Sequence, residues 1–157
     1  MNCVICGGNA TLVKQTKLAR YRDEEVEVQR EVHHCGSCGE DFLTPDQARA
    51  FARDVKNEIR KKYGLLSPER IAEIRHNLGL TQEQLEDLLN TGPKVVVRWE
   101  SGKVIQSGGH DNMLRLLERE PSIMKWLQAI QQARTDVQKQ YAASHAEHAT
   151  AKASACA

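Results

Sequence analysis

The chain has 157 residues, 4% of them aromatic and 27% charged, with a net charge of +1 at pH 7. That length admits one ordinary domain or two small ones, and the apolar runs fall far short of the roughly 20 residues a membrane span needs. No basic stretch leads into an apolar N-terminal segment, so the sequence predicts a cytoplasmic protein with no secretion signal and no membrane partner. In a reducing compartment, five cysteines point to metal or catalysis rather than disulfides. The charge is divided unevenly. Residues 1–43 hold 5 basic and 7 acidic side chains, net −2, and residues 44–157 hold 17 and 14, net +3. The second half leans weakly in the direction DNA binding requires.

Two cysteine pairs bracket the first 43 residues, Cys3-Val4-Ile5-Cys6 and Cys35-Gly36-Ser37-Cys38. Between them the sequence alternates. Strands are predicted over 11–21 and 25–33, with Arg22-Asp23-Glu24 as the turn. In the second strand Val26, Val28 and Val32 share one face, while Glu25, Glu27, Gln29 and Glu31 share the other. The pattern is a β-hairpin slung between two cysteine knuckles. A two-residue gap lets both sulfurs of a knuckle reach one tetrahedral ion at about 2.3 Å. Gly7 and Gly39, directly after each second cysteine, supply the positive φ a tight knuckle often requires. Cys3, Cys6, Cys35 and Cys38 are therefore the predicted ligands of one structural Zn2+, and four thiolates leave no open catalytic position. Thiol redox chemistry is the competing reading, but it expects a single pair opening a helix after a strand. His33 and His34 are substitute ligands to weigh, and Cys156 is expected to be a free thiol.

Helices follow. Thr44-Pro45-Asp46-Gln47 is a capping box, opening a connecting helix over 44–64 with Ala48, Phe51, Ala52, Val55, Ile59 and Tyr63 inward. Arg49, Arg53, Lys56, Arg60, Lys61 and Lys62 are placed outward, and Gly64 is the expected stop. Ser67-Pro68 begins a helix burying Ile71, Ile74 and Leu78, and Thr81-Gln82-Glu83-Gln84 is a second capping box ahead of Leu85, Leu88 and Leu89. A short helix runs from Gly92-Pro93 to Gly102, another from 109 to 119 with Met113, Leu116 and Leu117 apolar. Pro121 opens the last, which carries Ile123, Leu127 and Ile130 on one stripe as a candidate dimer contact. Residues 141–157 are expected to be a disordered tail, its small residues at 151–157 a terminus that a protease could engage.

Leu80-Thr81-Gln82 through Arg98-Trp99-Glu100-Ser101-Gly102-Lys103 resembles the lambda-repressor-like helix-turn-helix superfamily. Physically, two short helices are joined by a glycine-containing turn. In the second, Val96 and Trp99 anchor the core, so Lys94, Val95 and Arg98 fall on the other side. Arg98 can bond bidentately to guanine, Lys94 can donate as a point charge, and Val95 can touch a thymine methyl. Gln82 and Lys103 suit phosphates.

The order of four-cysteine module, connecting helix and helix-turn-helix resembles the MqsA-type antitoxins, with a YgiT-type zinc finger, across roughly residues 1–127. Leu116 to Pro121 also matches that family's final helices. The resemblance implies a component of a type II toxin–antitoxin system. Its zinc module would neutralise a cognate ribonuclease toxin. Its C-terminal domain would dimerise and repress its own operon at a palindromic operator in double-stranded DNA. Lys94 stands where the resemblance leads one to expect Asn, which implies a different operator sequence. The expected fold is α+β in two domains: a small zinc-bound β-hairpin module (1–43), the connecting helix (44–64), and an all-α lambda-repressor-like helix-turn-helix bundle (65–140). A stand-alone zinc-containing repressor without a toxin is the alternative. An enzyme is not expected, since the metal is closed and no Glu-His constellation lies nearby.

Overall fold

A computed structural model describes residues 1–154, with side chains to residue 145. The strands among them are β1 (Ala10–Tyr21), β2 (Glu24–Cys35) and β3 (Asp41–Phe42). The helices are α1 (Pro45–Lys62), α2 (Pro68–Asn77), α3 (Gln82–Leu88), α4 (Val95–Glu100), α5 (Gly108–Arg119) and α6 (Ile123–Ser154). The chain is α+β, with one three-stranded antiparallel sheet in the order β1-β2-β3.

The hairpin follows from its alternation. β1 and β2 pair along their whole length, from Ala10 opposite Cys35 to Tyr21 opposite Glu24, so the first and last residues of the hairpin meet beside the cysteine pairs. Val28 and Val32 are buried and Val26 is half-buried, while Glu25, Glu27, Gln29 and Glu31 face solvent. α1 packs on the valine side, with Arg30 lying 5.7 Å over the ring of Phe51. The two-residue β3, too short to show a period, adds to β2 at His33 and His34.

Both predicted capping boxes form. The Thr44 hydroxyl accepts from Gln47 N at 3.3 Å and the Gln47 side chain accepts from Thr44 N at 2.8 Å. Thr81 and Gln84 repeat the arrangement at 3.1 and 2.8 Å. Gly64 ends α1 in the left-handed region at φ 62. The last turn of α1 also holds the hairpin tip: Lys62 Nζ donates to Glu24 at 2.7 Å, and the Tyr63 hydroxyl donates to the same carboxylate.

The chain forms two compact units, one of residues 1–73 with 97–111 and another of 74–96 with 112 onward. Within the first, polar groups do the tying. Arg60, which the helical pattern places outward, is buried and donates to Val104 O at 2.9 Å and Asn57 Oδ1 at 3.2 Å. The buried Asp111 carboxylate accepts from Leu66 N at 2.7 Å and Gln106 Nε2 at 3.0 Å. Segment 97–111 is thereby fastened to the chain following α1. Within the second unit the core is aliphatic, built from Ile74, Leu85, Leu88, Val96, Leu114 and Leu117.

Further sequence expectations change. Ala48, Ala52 and Tyr63, expected inward along the connecting helix, are exposed. Leu116 is exposed and Leu114, three residues before Leu117, is buried in its place. The short helix expected from Gly92-Pro93 starts instead at Val95. In place of a disordered tail from residue 141, α6 continues to Ser154. Residues 142–154 hold six alanines, and alanine enters a helix at the lowest entropic cost of any residue. Cys156 and the end of the expected protease-sensitive terminus lie outside the described residues.

Candidate metal centre and nucleic-acid interface

Each cysteine pair folds as the same tight knuckle. Gly7 N donates to Cys3 O at 3.0 Å, and Gly39 N donates to Cys35 O at 2.9 Å. The two glycines take φ of 73° and 74°, the conformation for which an L side chain is strained. In the first knuckle Ile5 N and Gly8 N each lie 3.4 Å from a sulfur, those of Cys3 and Cys6 respectively. Backbone amides thus point at sulfurs that carry charge when a cation is bound.

The hairpin brings the knuckles together. All four sulfurs lie within 4.8 Å of one another, with Cys3 to Cys38 at 3.7 Å and Cys6 to Cys35 at 3.5 Å. Four ligands at about 2.3 Å from a tetrahedral zinc stand about 3.8 Å apart, whereas a disulfide needs about 2.05 Å. The cluster fits a zinc ion, and the four cysteines are free. Backbone donation from Cys38 and then Ser37 holds the Cys35 thiol down, at about 6. At Cys38 the Glu40 amide also pulls downward, but the crowding by Cys6, Cys35 and Cys3, with burial, pushes that thiol up to about 12. Four sulfurs this close cannot all ionise without a cation among them.

Gly8, which sequence reasoning passed over, is what lets the knuckles approach. A Cβ there would meet Ser37 Oγ at 2.5 Å, Ser37 Cβ at 2.8 Å and Cys6 Sγ at 3.2 Å. The histidines are engaged elsewhere: His34 Nδ1 pairs with Asp41 at 2.8 Å and His33 stacks on Phe42 with centroids 5.4 Å apart.

The second candidate site is the helix pair α3–α4. Val96 and Trp99 are buried as the spacing requires. Val97, Arg98 and Ser101 are exposed on the face of α4 away from them, and Val95 is half-buried at its border. Val97, at 39% exposure, is therefore the more accessible apolar group, a residue the sequence reading left out. Lys94 precedes the first turn of α4, exposed and left-handed at φ 61. Gln82 is the half-buried first residue of α3, and Lys103 is exposed just past the end of α4.

The turn is fixed by a residue that also escaped notice. Glu86, 7% exposed, accepts from Lys94 N with Oε2 and from Val96 N with Oε1, both at 2.9 Å. Its backbone carbonyl accepts from Thr91 N at 2.9 Å. One carboxylate on α3 satisfies two amides at the start of α4 and opposes the positive end of that helix.

The four-cysteine cluster and the capped helix pair lie in one chain, and its likeness to known proteins gives its class. The family model described as the antitoxin component of a bacterial toxin–antitoxin system, MqsA, matches residues 1–128. The chain belongs to the MqsA antitoxin family. Antitoxin MqsA of Escherichia coli (strain K12) is 25% identical over 92 residues, covering 58% of this chain and 70% of that protein. No helix among the described residues is long and apolar enough to cross a membrane.

Proposed function

We propose that this antitoxin neutralises a ribonuclease toxin through its zinc-pinned hairpin and represses its own operon as a homodimer on a palindromic operator. The observation that carries the reading is the pairing, inside the family-matched residues 1–128, of a closed four-sulfur site with a Glu86-locked helix pair. One zinc ion held by Cys3, Cys6, Cys35 and Cys38 supplies structure, not reactivity. The solvent face of β2, with Glu25, Glu27 and Glu31 exposed, offers negative charge to a basic partner. On the DNA side Arg98 reads guanine, Lys94 donates as a point charge, and Val95, with Val97 beside it, meets a thymine methyl. Gln82 and Lys103 hold phosphates and set the register. Two copies place their α4 helices in successive major grooves. The role is that of a regulator, with no chemical step assigned to any side chain.

A division of labour tests this. A chain lacking residues 1–43 is expected to lose rescue of cells expressing the cognate toxin, while retaining most of its operator affinity in a gel-shift titration. Full rescue by the truncated chain would put the neutralising surface elsewhere.

A further inference from the structure

Helix α1 leaves a hollow against each strand of the hairpin, and the two hollows differ in charge. The one against β2, about 720 Å³, is lined by Glu27, Asp54, Glu58 and Glu69 together with Arg60 and Lys61. The one against β1 is about 370 Å³, and its charged groups are Lys17, Arg20, Arg30 and Lys56, with no carboxylate among the described lining residues. Its floor is apolar, with Ala19 and Phe51 half-buried and Val55 buried. The Nε of Arg30 is buried there without a hydrogen-bond partner. This hollow runs along an open strand edge. Residues 17–21 of β1 line it consecutively, both faces of the pleat together, which puts the backbone itself in the wall. β1 is an outer strand of the sheet, 12 residues long, and every second residue of an antiparallel strand turns its N–H and C=O away from the partner strand. Among the described residues no backbone group outside β2 bonds to residues 11–21. A row of unpaired N–H and C=O groups is a template for one more strand.

We propose that this edge and its groove take an extended acidic segment of a partner protein, which joins the sheet as a further strand beside β1. Charge selects the occupant. β1 carries Lys14, Lys17 and Arg20 and no acidic residue, so the same edge of a second copy would set like charges opposite one another. A strand bearing carboxylates meets the opposite sign. A nucleic-acid backbone would also answer the cations, but its phosphates only accept, so the outward carbonyls of β1 and the apolar floor would stay without partners. In strand addition the main chain supplies affinity and alternate side chains supply specificity. An apolar side chain of the segment sits against Phe51 and Val55, and its flanking carboxylates meet Lys17, Arg20 and Lys56. This surface is separate from the acidic face of β2 offered to the toxin, and it calls for a partner of the opposite sign.

The full zinc-loaded chain is titrated with three labelled probes: a peptide alternating Glu and Val, a peptide alternating Lys and Val, and a single-stranded oligodeoxynucleotide. The acidic peptide is expected to bind at least tenfold more tightly than either of the others. The double variant Lys17→Glu/Lys56→Glu, its folding and zinc content verified by circular dichroism and metal analysis, should bind it at least tenfold more weakly than the parent. Amide hydrogen exchange on the parent chain reads the geometry without any substitution: every second N–H between Leu12 and Arg20 should gain protection when the acidic peptide is bound. Failure of that peptide to bind at about 1 mM, equal affinity in the double variant, or binding without new protection in β1 would overturn the proposal. Tighter binding of the oligonucleotide would overturn it in favour of a nucleic-acid surface. Toxin rescue by the double variant is followed in parallel and should match the parent; its loss would make the groove part of the toxin surface and overturn the acidic partner.

Discussion

Around the four sulfurs the buried side chains are Cys3, Ala10 and Cys35, with Phe42 partly buried against them. In the second unit they are Ile74, Leu85, Val96, Leu114 and Leu117, all wholly buried. Each large aliphatic side chain withdrawn from water contributes about 1.5–3 kcal/mol. The helices therefore hold an apolar core on the order of 10 kcal/mol, an upper bound since unfolded chains are already partly compact. The sulfur end of the hairpin has no such reserve, its larger buried side chains being Val28 and Val32 on the side where α1 packs, whereas a structural zinc site supplies about 10–16 kcal/mol of apparent binding energy at pH 7. With zinc bound, two stabilities of similar size would depend on different variables, one on metal and thiolate, the other on packing.

The largest expected effect separates them directly. Complete removal of zinc by a strong chelator should abolish the dispersed amide signals of residues 1–43 while the helical circular dichroism largely survives. Metal analysis should return one zinc per chain before treatment. If the hairpin signals persist in metal-free protein, the contrast between the two regions disappears.

The next largest falls on the helical side. Glu86→Ala strips the acceptor from two amides at the start of α4 and is expected to cost about 2–3 kcal/mol, in the range of hydrogen bonds to a charged group. Glu86→Gln, which keeps one acceptor oxygen, should lose about half as much. Denaturant melts followed through the helices read the loss, with bound zinc unchanged. An equal loss of zinc would show that the two regions share one stability.

How much of this the sequence disclosed follows from the range over which each feature is encoded. The knuckles, both capping boxes and the hairpin were legible because their parts lie within a few residues of one another. Thr44 and Gln47, Thr81 and Gln84, and each cysteine pair with its glycine all belong to this group. Glu86 and Arg60 were not. A charged residue on a helix has the pattern of a solvated one until its partners, Lys94 and Val96 for the first and Val104 for the second, are brought beside it. Lys94 was assigned to the recognition helix because helical spacing cannot show a left-handed residue at its threshold. For Leu114 and Leu116 the spacing permitted either, and packing against neighbouring elements chose.

A smaller effect divides reading from holding on DNA. Arg98→Ala is expected to cost about 1–3 kcal/mol on the operator and to relax the preference at one base pair. Lys103→Ala should weaken operator and scrambled duplex alike and lower the salt slope by about one. Equal losses on both duplexes for Arg98→Ala would make Arg98 a phosphate contact.

The smallest lies at the hairpin tip. Hydrogen bonds from Lys62, then Tyr63, hold the Glu24 carboxyl below its ordinary value. A carboxyl depressed in the fold adds stability above its unfolded value, near 4.3, and loses it as pH falls through the folded one. The thermal midpoint of the parent chain should therefore drop more steeply below pH 5 than that of Glu24→Gln. Acid release of zinc acts on both chains equally, so parallel curves would remove Glu24 from the account.

The contact at Gly8 bears on how this chain can vary over generations. The space a methyl group would need at position 8 is already taken by Ser37 and the sulfur of Cys6, so the two knuckles cannot drift independently. A side chain gained at position 8 calls for a smaller residue at position 37, and even then it presses on a ligand sulfur and alters the spacing the ion senses. Among related sequences that keep the four cysteines, a side chain at position 8 should appear only beside a smaller residue at position 37, and free loss of the glycine should be confined to lineages that have also lost the cysteines.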